Sequence, residues 1–315
     1  GRGNGADNQK EKEYMKKLQE DDIKDKLMKN NSLFRDVYIV KQKFDILPDD
    51  KEHYGISIAY QDIQELREDF VNDLLDTLVD WVYSSDKYKE LIEKEIKKGK
   101  ASTIQRKARQ KFRKGNDDEL LVQGQFGELL LFHFIQKCIG AVPLLRKMKI
   151  TTSAQHERFG ADAIHYKIEK EKNIIVLGEA KTYSSKYKFS SAFGDAITSI
   201  LNTYKMHREE LDLYIHEDFL DQEMNDVAEA YLEKTLENVQ IQLVCIIVYH
   251  ETKKLKKQTE EEVRNEITEI IKERYQKYDN KKIPIDENAI LNRITYIVFP
   301  IWKLDELLVA FQKEL

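Results

Sequence analysis

The residue types most able to do chemistry lie between Phe159 and Lys181, in FGADAIHYKIEKEKNIIVLGEAK. Two β-patterned runs flank EKEK (169–172), which reads as a hairpin turn. Side chains alternate along a strand, so Asp162, Ile164, Tyr166 and Ile168 share one face of the first run. On the second run Ile175, Leu177, Glu179 and Lys181 share one. A turn centred between Lys170 and Glu171 sets Asp162 opposite Glu179, Ile164 opposite Leu177 and Tyr166 opposite Ile175. Facing Cβ atoms are then ~5 Å apart, where like charges repel. Two carboxylates held together on a half-buried face need a cation or a shared proton. A divalent metal ion is the simplest partner, and hard carboxylate oxygens suit Mg²⁺ or Mn²⁺. Lys181 points to the same side as Glu179 and brings an ammonium group to a water on such an ion.

Glu128 is the third acidic candidate. It sits in QGQFGELLLFHFIQ (123–136), whose pattern predicts a helix over about 118–139. Its helical neighbours are Leu121, Gly124, Gln125, Leu131, Phe132 and Ile135. A carboxylate on so apolar a face is costly to bury unless it is paired or metal-bound. Gly124 and Gly127 would let a strand or ligand approach closely.

These residues need elements to hold them. Strand character at 37–44 and 54–60 is followed by an apolar helical stripe from Gln61 to Tyr83, which includes Ile63, Leu66, Phe70, Leu74, Leu75, Leu78 and Trp81. A second helix is expected over 86–98, then a basic run over 97–114. After the Glu128 helix come strands at 147–153, 161–168 and 173–181 and a helix at 189–205. Two acidic helices to about 237, a strand at 239–249, a helix at 259–278, a strand at 293–299 and a last helix complete the chain. The order predicts an α/β fold, with a boundary near residue 115 between an N-terminal α+β region (1–115) and a more regular C-terminal domain (116–315).

Helix Glu, strand Asp, then Glu-x-Lys on the next strand, within helix, three strands, helix, strand, resembles the PD-(D/E)XK nuclease superfamily. That resemblance implies a restriction-endonuclease-like core, a mixed sheet flanked by helices. In it Asp162, Glu179 and the backbone carbonyl of Ala180 ligate Mg²⁺ (or Mn²⁺). Glu128 binds the ion directly or through water, and Lys181 orients or activates the attacking water. Ala161, not Pro, precedes Asp162, a common departure in this superfamily. QGQFGELLLF, RFGADAIHY, VLGEAKTYSSKYKFSSAF and the helical tail further resemble the HamA family, nuclease subunits of Hachiman antiphage defence. This implies a DNA-degrading effector restrained or delivered by a superfamily-2 helicase, HamB. The chain carries no GxxxxGK[ST] loop, since GKAS (99–102) lacks the first Gly and the Ser/Thr, so an ATP-driven step falls to the partner. A stand-alone restriction-type endonuclease and a non-catalytic DNA- or partner-binding scaffold remain alternative readings.

Two basic segments are candidate DNA contacts, because each neutralised phosphate releases counterions. The run 97–114 holds nine basic residues and no acidic one, with Arg106, Lys107, Arg109, Lys111, Arg113 and Lys114 as its densest part. A solvated helix face or a dock for an acidic partner explains it equally. Lys186 and Lys188 follow the metal strand in KTYSSKYKF (181–189), and His156 and Arg158 precede it. The stretch 217–237 is opposed in sign, with eight acidic residues against Lys234. No His pair forms an HExxH pattern, and His133 is expected to pack.

Of the 315 residues, 52 are Lys or Arg and 57 Asp or Glu, so the net charge of −5 gives no overall basic field. The 16 Tyr and 13 Phe are too many large apolar groups for a disordered chain. Cys138 and Cys245 stand too far apart in sequence for a CxxC site or a disulfide framework, which fits a reducing, cytoplasmic setting. The longest apolar runs, LLLF (129–132) and VCIIVY (244–249), fall well short of the ~20 residues of a membrane span.

Overall fold

The apolar run VCIIVY sits where a strand buried on both faces is needed, at the centre of one mixed seven-stranded sheet. The computed structural model describes residues 18–28, 32–113, 119–146, 160–184, 188–215, 222–256 and 258–315. Strands β1 (Val37–Lys43) and β2 (Glu52–Ile58) form an antiparallel hairpin, and β3 (Tyr60–Gln61) with β4 (Gln64–Glu65) a small separate ribbon. Then follow β5 (Val142–Leu145), β6 (Ala163–Glu169), β7 (Lys172–Tyr183), β8 (Val239–Glu251) and β9 (Ile294–Trp302). The sheet order is β1-β2-β9-β8-β7-β6-β5. Its four central strands run parallel, and an antiparallel segment closes each side.

Helices cover both faces. On one lie α1 (Glu20–Lys26), α8 (Phe189–Tyr214), α9 (Gln222–Leu232) and α10 (Glu260–Lys277), around Ile175, Leu177, Cys245 and Ile247. On the other lie α2 (Ser32–Arg35), α3 (Arg67–Asp76), α4 (Leu78–Val82), α5 (Ser85–Lys97), α6 (Ser102–Arg113), α7 (Glu119–Phe134) and α11 (Leu304–Lys313), around Val176, Val244 and Ile246. Helix α7 is apolar nearly all round because it is covered on both sides. Gly178 lies under its Leu131, and Phe126 meets Phe311 of α11 at 5.5 Å.

The expected helix–three strands–helix–strand order is present as α7, β5, β6, β7, α8, β8. The third expected strand, 147–153, lies outside the described residues, and the strand that precedes β6 is Val142–Leu145. The boundary near 115 falls within 114–118, also outside them. On either side of it the chain contributes to one sheet, since β2 pairs with β9. The helix expected from Gln61 to Tyr83 is divided. Asp62 takes a left-handed turn (φ 55°), Ile63 is 72% exposed at its tip, and helix begins only at Arg67. It breaks again at Thr77, whose hydroxyl bonds back to the Leu74 carbonyl at 2.6 Å and competes with the helical ladder. Helix α8 runs to Tyr214 instead of 205, because His207, Leu211 and Tyr214 keep its buried face continuous. Of the two acidic helices, α9 is described and 216–221 are not. Among the described residues no helix is long and apolar enough to cross a membrane.

Candidate active site

The hairpin forms in the expected register. Lys170 (φ 49°) and Glu171 (φ 64°) make a two-residue left-handed turn, and Ala163 faces Gly178, Ile164 faces Leu177 and Tyr166 faces Ile175. The ladder then stops. β6 begins at Ala163 while β7 continues to Tyr183, leaving a notch along the β7 edge. Asp162 lies one residue beyond the ladder, opposite Glu179 in the continued register. Its Oδ2 accepts the Ala180 backbone N–H at 2.9 Å, so the carboxylate takes the place of the missing strand.

Glu179 is 5% exposed and accepts a hydrogen bond from the hydroxyl of Thr203 on α8. Cys245 faces Glu179 from β8. Burial pushes the Cys245 thiol far up, the charges of Glu179 and Asp162 push it further, and Lys181 pulls it back. Glu179 and Lys181, two residues apart, share one face of β7, and Lys181 is half-buried.

Glu128 arrives from the opposite layer. Helix α7 lies on the face of β7 that carries Gly178, Ala180 and Thr182, whereas Glu179 reaches α8. Gly127 is the point of closest approach: a Cβ there would be 2.2 Å from Thr182 Oγ1 and 3.4 Å from Ala180 Cβ. Gly124 is exposed, and a Cβ there would meet none of the described residues within 4 Å. The neighbouring Glu128 is half-buried. Gln123 fastens the same junction, its Nε2 donating to the Thr182 carbonyl and its Oε1 accepting from Ser184 at 3.1 Å.

Among the described residues no three His, Cys, Asp or Glu side chains stand together as a ready metal cage. Asp162 and Glu179 offer a smaller donor set of two carboxylates, one with an oxygen already engaged by Ala180. That set fits Mg²⁺, which keeps several waters and takes one or two protein carboxylates. His133, expected to pack, is fully buried, and burial with the neighbouring His165 lowers its pKa to about 3, so it is neutral.

The candidate DNA contacts divide. His156, Arg158, Lys114 and Lys186 lie outside the described residues, as does the Arg113 side chain. Lys188 is exposed at the start of α8, past the end of β7. Arg106 and Lys107 are exposed on α6, in the layer that holds α7. Arg109 and Lys111 have structural contacts. Arg109 lies 3.7 Å from Asp76 and donates to the Glu314 carbonyl at 3.1 Å, and the Lys111 ammonium sits 5.0 Å above the Tyr83 ring.

Several residues that hold the site carried little sequence signal. Glu210 of α8 accepts the Ala161 N–H at 2.8 Å, immediately before Asp162. Its one trace was Gly160, with φ +141°, where a Cβ would lie 2.0 Å from Glu210 Oε1. Thr203 reads as an ordinary helix residue. Asp195, hydrogen-bonded to the Tyr183 hydroxyl, reads as a solvated acid; that bond, then burial, raises the Tyr183 pKa to about 12.

A family model described as HamA matches residues 32–315, a span that contains every candidate site residue. No curated protein matches the chain.

Proposed function

The chain belongs to the HamA family, which ties it to Hachiman antiphage defence, and from that premise we propose that it is a divalent-metal-dependent deoxyribonuclease governed by a helicase partner. The observation that carries this reading is that Asp162, bonded to the Ala180 N–H at 2.9 Å, lies opposite Glu179 in the hairpin register, with Lys181 on the same face of β7 where β6 ends. Two carboxylates held close together on one face repel, and a cation is what such a pair is suited to hold. The arrangement also matches the PD-(D/E)XK pattern, with a helix glutamate approaching from the other face.

Asp162, Glu179 and the Ala180 carbonyl would hold Mg²⁺ or Mn²⁺, with Glu128 reaching it through a water. When bound, such an ion supplies a Lewis acid that lowers the pKa of a coordinated water and neutralises charge growing on a phosphate. Lys181 lies on the same side as Glu179, where its ammonium donates to the attacking water and fixes its approach. Ala180 keeps its N–H on Asp162, so its carbonyl plane is held. The notch gives a DNA backbone access to the β7 edge, and Lys188 at its end meets the flanking phosphates, which position the strand without reading its sequence.

A helicase partner, HamB by family resemblance, fits the charge balance. At −5 overall the chain has no long-range basic field to gather DNA. Delivery by a partner that itself grips DNA supplies what the field does not. The test is cleavage of linear and circular DNA with Mg²⁺ or EDTA, with and without the helicase and ATP. Wild type should cut only with metal, and folded Glu179→Ala and Lys181→Ala should not cut. Undiminished cleavage by either variant refutes the assignment. No cleavage under any of these conditions, together with no acid-dependent binding of Mg²⁺ or Mn²⁺, would leave a scaffold.

A further inference from the structure

We infer that helix α8 is the brace that sets the relative position of the two metal carboxylates, with Thr203 and Glu210 as positioning residues. This rests on the metal-site reading above. Three side chains of α8 reach the site elements: Asp195 to the Tyr183 hydroxyl, Thr203 to Glu179, and Glu210 to the Ala161 N–H. The first two ties match in length. Tyr183 and Glu179 are four residues apart on β7, ~13 Å of strand. Asp195 and Thr203 are eight apart, ~12 Å of helix. Helix and strand therefore run antiparallel in step, and a change of pitch at either tie would strain the other.

The third tie acts on the other carboxylate. Glu210 is seven residues from Thr203, two helical turns on the same side, and grips the chain one residue before Asp162. Gly160 lets the two meet, having no Cβ to strike the Glu210 carboxylate and a φ of +141° that suits glycine. One rigid helix thus holds Glu179 through a hydroxyl and Asp162 through the preceding amide. Neither Thr203 nor Glu210 is assigned contact with the ion or DNA. Both act through the residues they hold, as hydrogen-bond partners of metal-ligating carboxylates do.

The test is Mn²⁺ binding to the full chain by calorimetry, with melting and circular dichroism as fold controls. Thr203→Val keeps the shape and removes the donor, and Thr203→Ser restores it. Glu210→Leu removes the acceptor, and Glu210→Gln keeps an oxygen for the Ala161 N–H. We expect Thr203→Val and Glu210→Leu each to weaken Mn²⁺ binding ~10-fold or more, with Ser and Gln within ~3-fold of wild type. If Thr203→Val does not fold, Thr203→Ala against Thr203→Ser makes the same comparison. Wild-type affinity in folded Thr203→Val and Glu210→Leu, with binding lost in Glu179→Gln, overturns the brace and leaves the metal site. If wild type shows no Mn²⁺ binding that Glu179→Gln abolishes, the metal site fails and the brace falls with it.

Discussion

Gly127 is where the helix of Glu128 touches β7, and Gly127→Ala tests that junction with an effect whose sign can be worked out. The added Cβ would stand 2.2 Å from Thr182 Oγ1, but 3.4 Å from Ala180 Cβ and 3.5 Å from Thr182 Cβ. Only the first is an overlap. Thr182 is β-branched, stiff at χ1 and buried, so it cannot simply swing away. Overpacking of this kind costs ~1–3 kcal/mol, while replacing Gly by Ala in a helix interior returns ~1 kcal/mol. The net expectation is a loss of ~0–2 kcal/mol, with α7 lifted from β7 and Glu128 carried away from the notch.

The partner substitution makes the argument decisive. Thr182 Oγ1 is buried with no hydrogen-bond partner among the described residues. Thr182→Ala then loses a buried methyl, ~0.8 kcal/mol, but also removes an unpaired hydroxyl whose burial costs ~1–3 kcal/mol, so it should be near neutral or mildly stabilising. In Gly127→Ala/Thr182→Ala the overlap is gone and the helix-propensity gain remains. The double variant should equal or exceed wild type, with a coupling of ~1–3 kcal/mol in its favour. Urea unfolding of the four proteins measures that coupling, and Mg²⁺-dependent cleavage, slowed in Gly127→Ala, should recover in the double. A stabilised Gly127→Ala, or a coupling below ~0.5 kcal/mol, would show that helix and strand do not meet there.

Arg274→Leu should destabilise by ~3 kcal/mol at neutral pH, since it strips the buried Glu251 carboxylate of its guanidinium contacts at 2.7 and 3.0 Å. Burial raises the Glu251 pKa, but Arg274, Tyr249 and the Lys253 N–H outweigh it and hold the carboxyl below its usual range. Its stabilisation is therefore present above the unfolded pKa of ~4.3 and lost as pH falls through the folded value. The gap between variant and wild type should narrow only below pH ~4.3; equal urea midpoint shifts at pH ~7 and ~3 would contradict this. Asp36 has the opposite sign: burial first, then Asp73 and Asp69, raise its carboxyl to about 8 against Arg35. That group favours the fold below ~pH 4 and costs stability progressively as pH rises to about 8, so Asp36→Asn should flatten the melting profile across that window. On the surface, Arg106→Ala with Lys107→Ala should lower the salt slope of DNA binding by ~2 without changing the melting temperature, and an unchanged slope would remove α6 from the DNA path.

Much of this was legible because it follows from alternation. The hairpin register came from a two-residue turn and matched apolar positions, and it placed Asp162 beside Glu179 without reference to any distance. What the pattern missed is long-range or bent. The stripe from Gln61 to Tyr83 reads as one helix, yet Asp62 and Thr77 break it locally, and Ile63 ends up at a turn tip. Gly124 and Gly127 look equivalent in sequence, and only the side of α7 that meets β7 distinguishes them. Thr203 and Glu210 were invisible because their meaning depends on α8 lying in step with β7, a tertiary fact. The join of β2 to β9 spans more than half the chain, and no local signal encodes it.

The position of the acids follows from how the hairpin ends. In a two-residue hairpin the residues flanking the turn exchange both hydrogen bonds, and every second pair beyond repeats this. Counting from Glu169 and Lys172, the pair after Ala163 and Gly178 would be Ala161 and Ala180. Both of those N–H groups are taken by carboxylates instead: Ala161 by Glu210 and Ala180 by Asp162. The ladder therefore stops where acids replace carbonyls as acceptors. At this point of the fold it is negative charge, on Glu210 and Asp162, that ends the strand pairing.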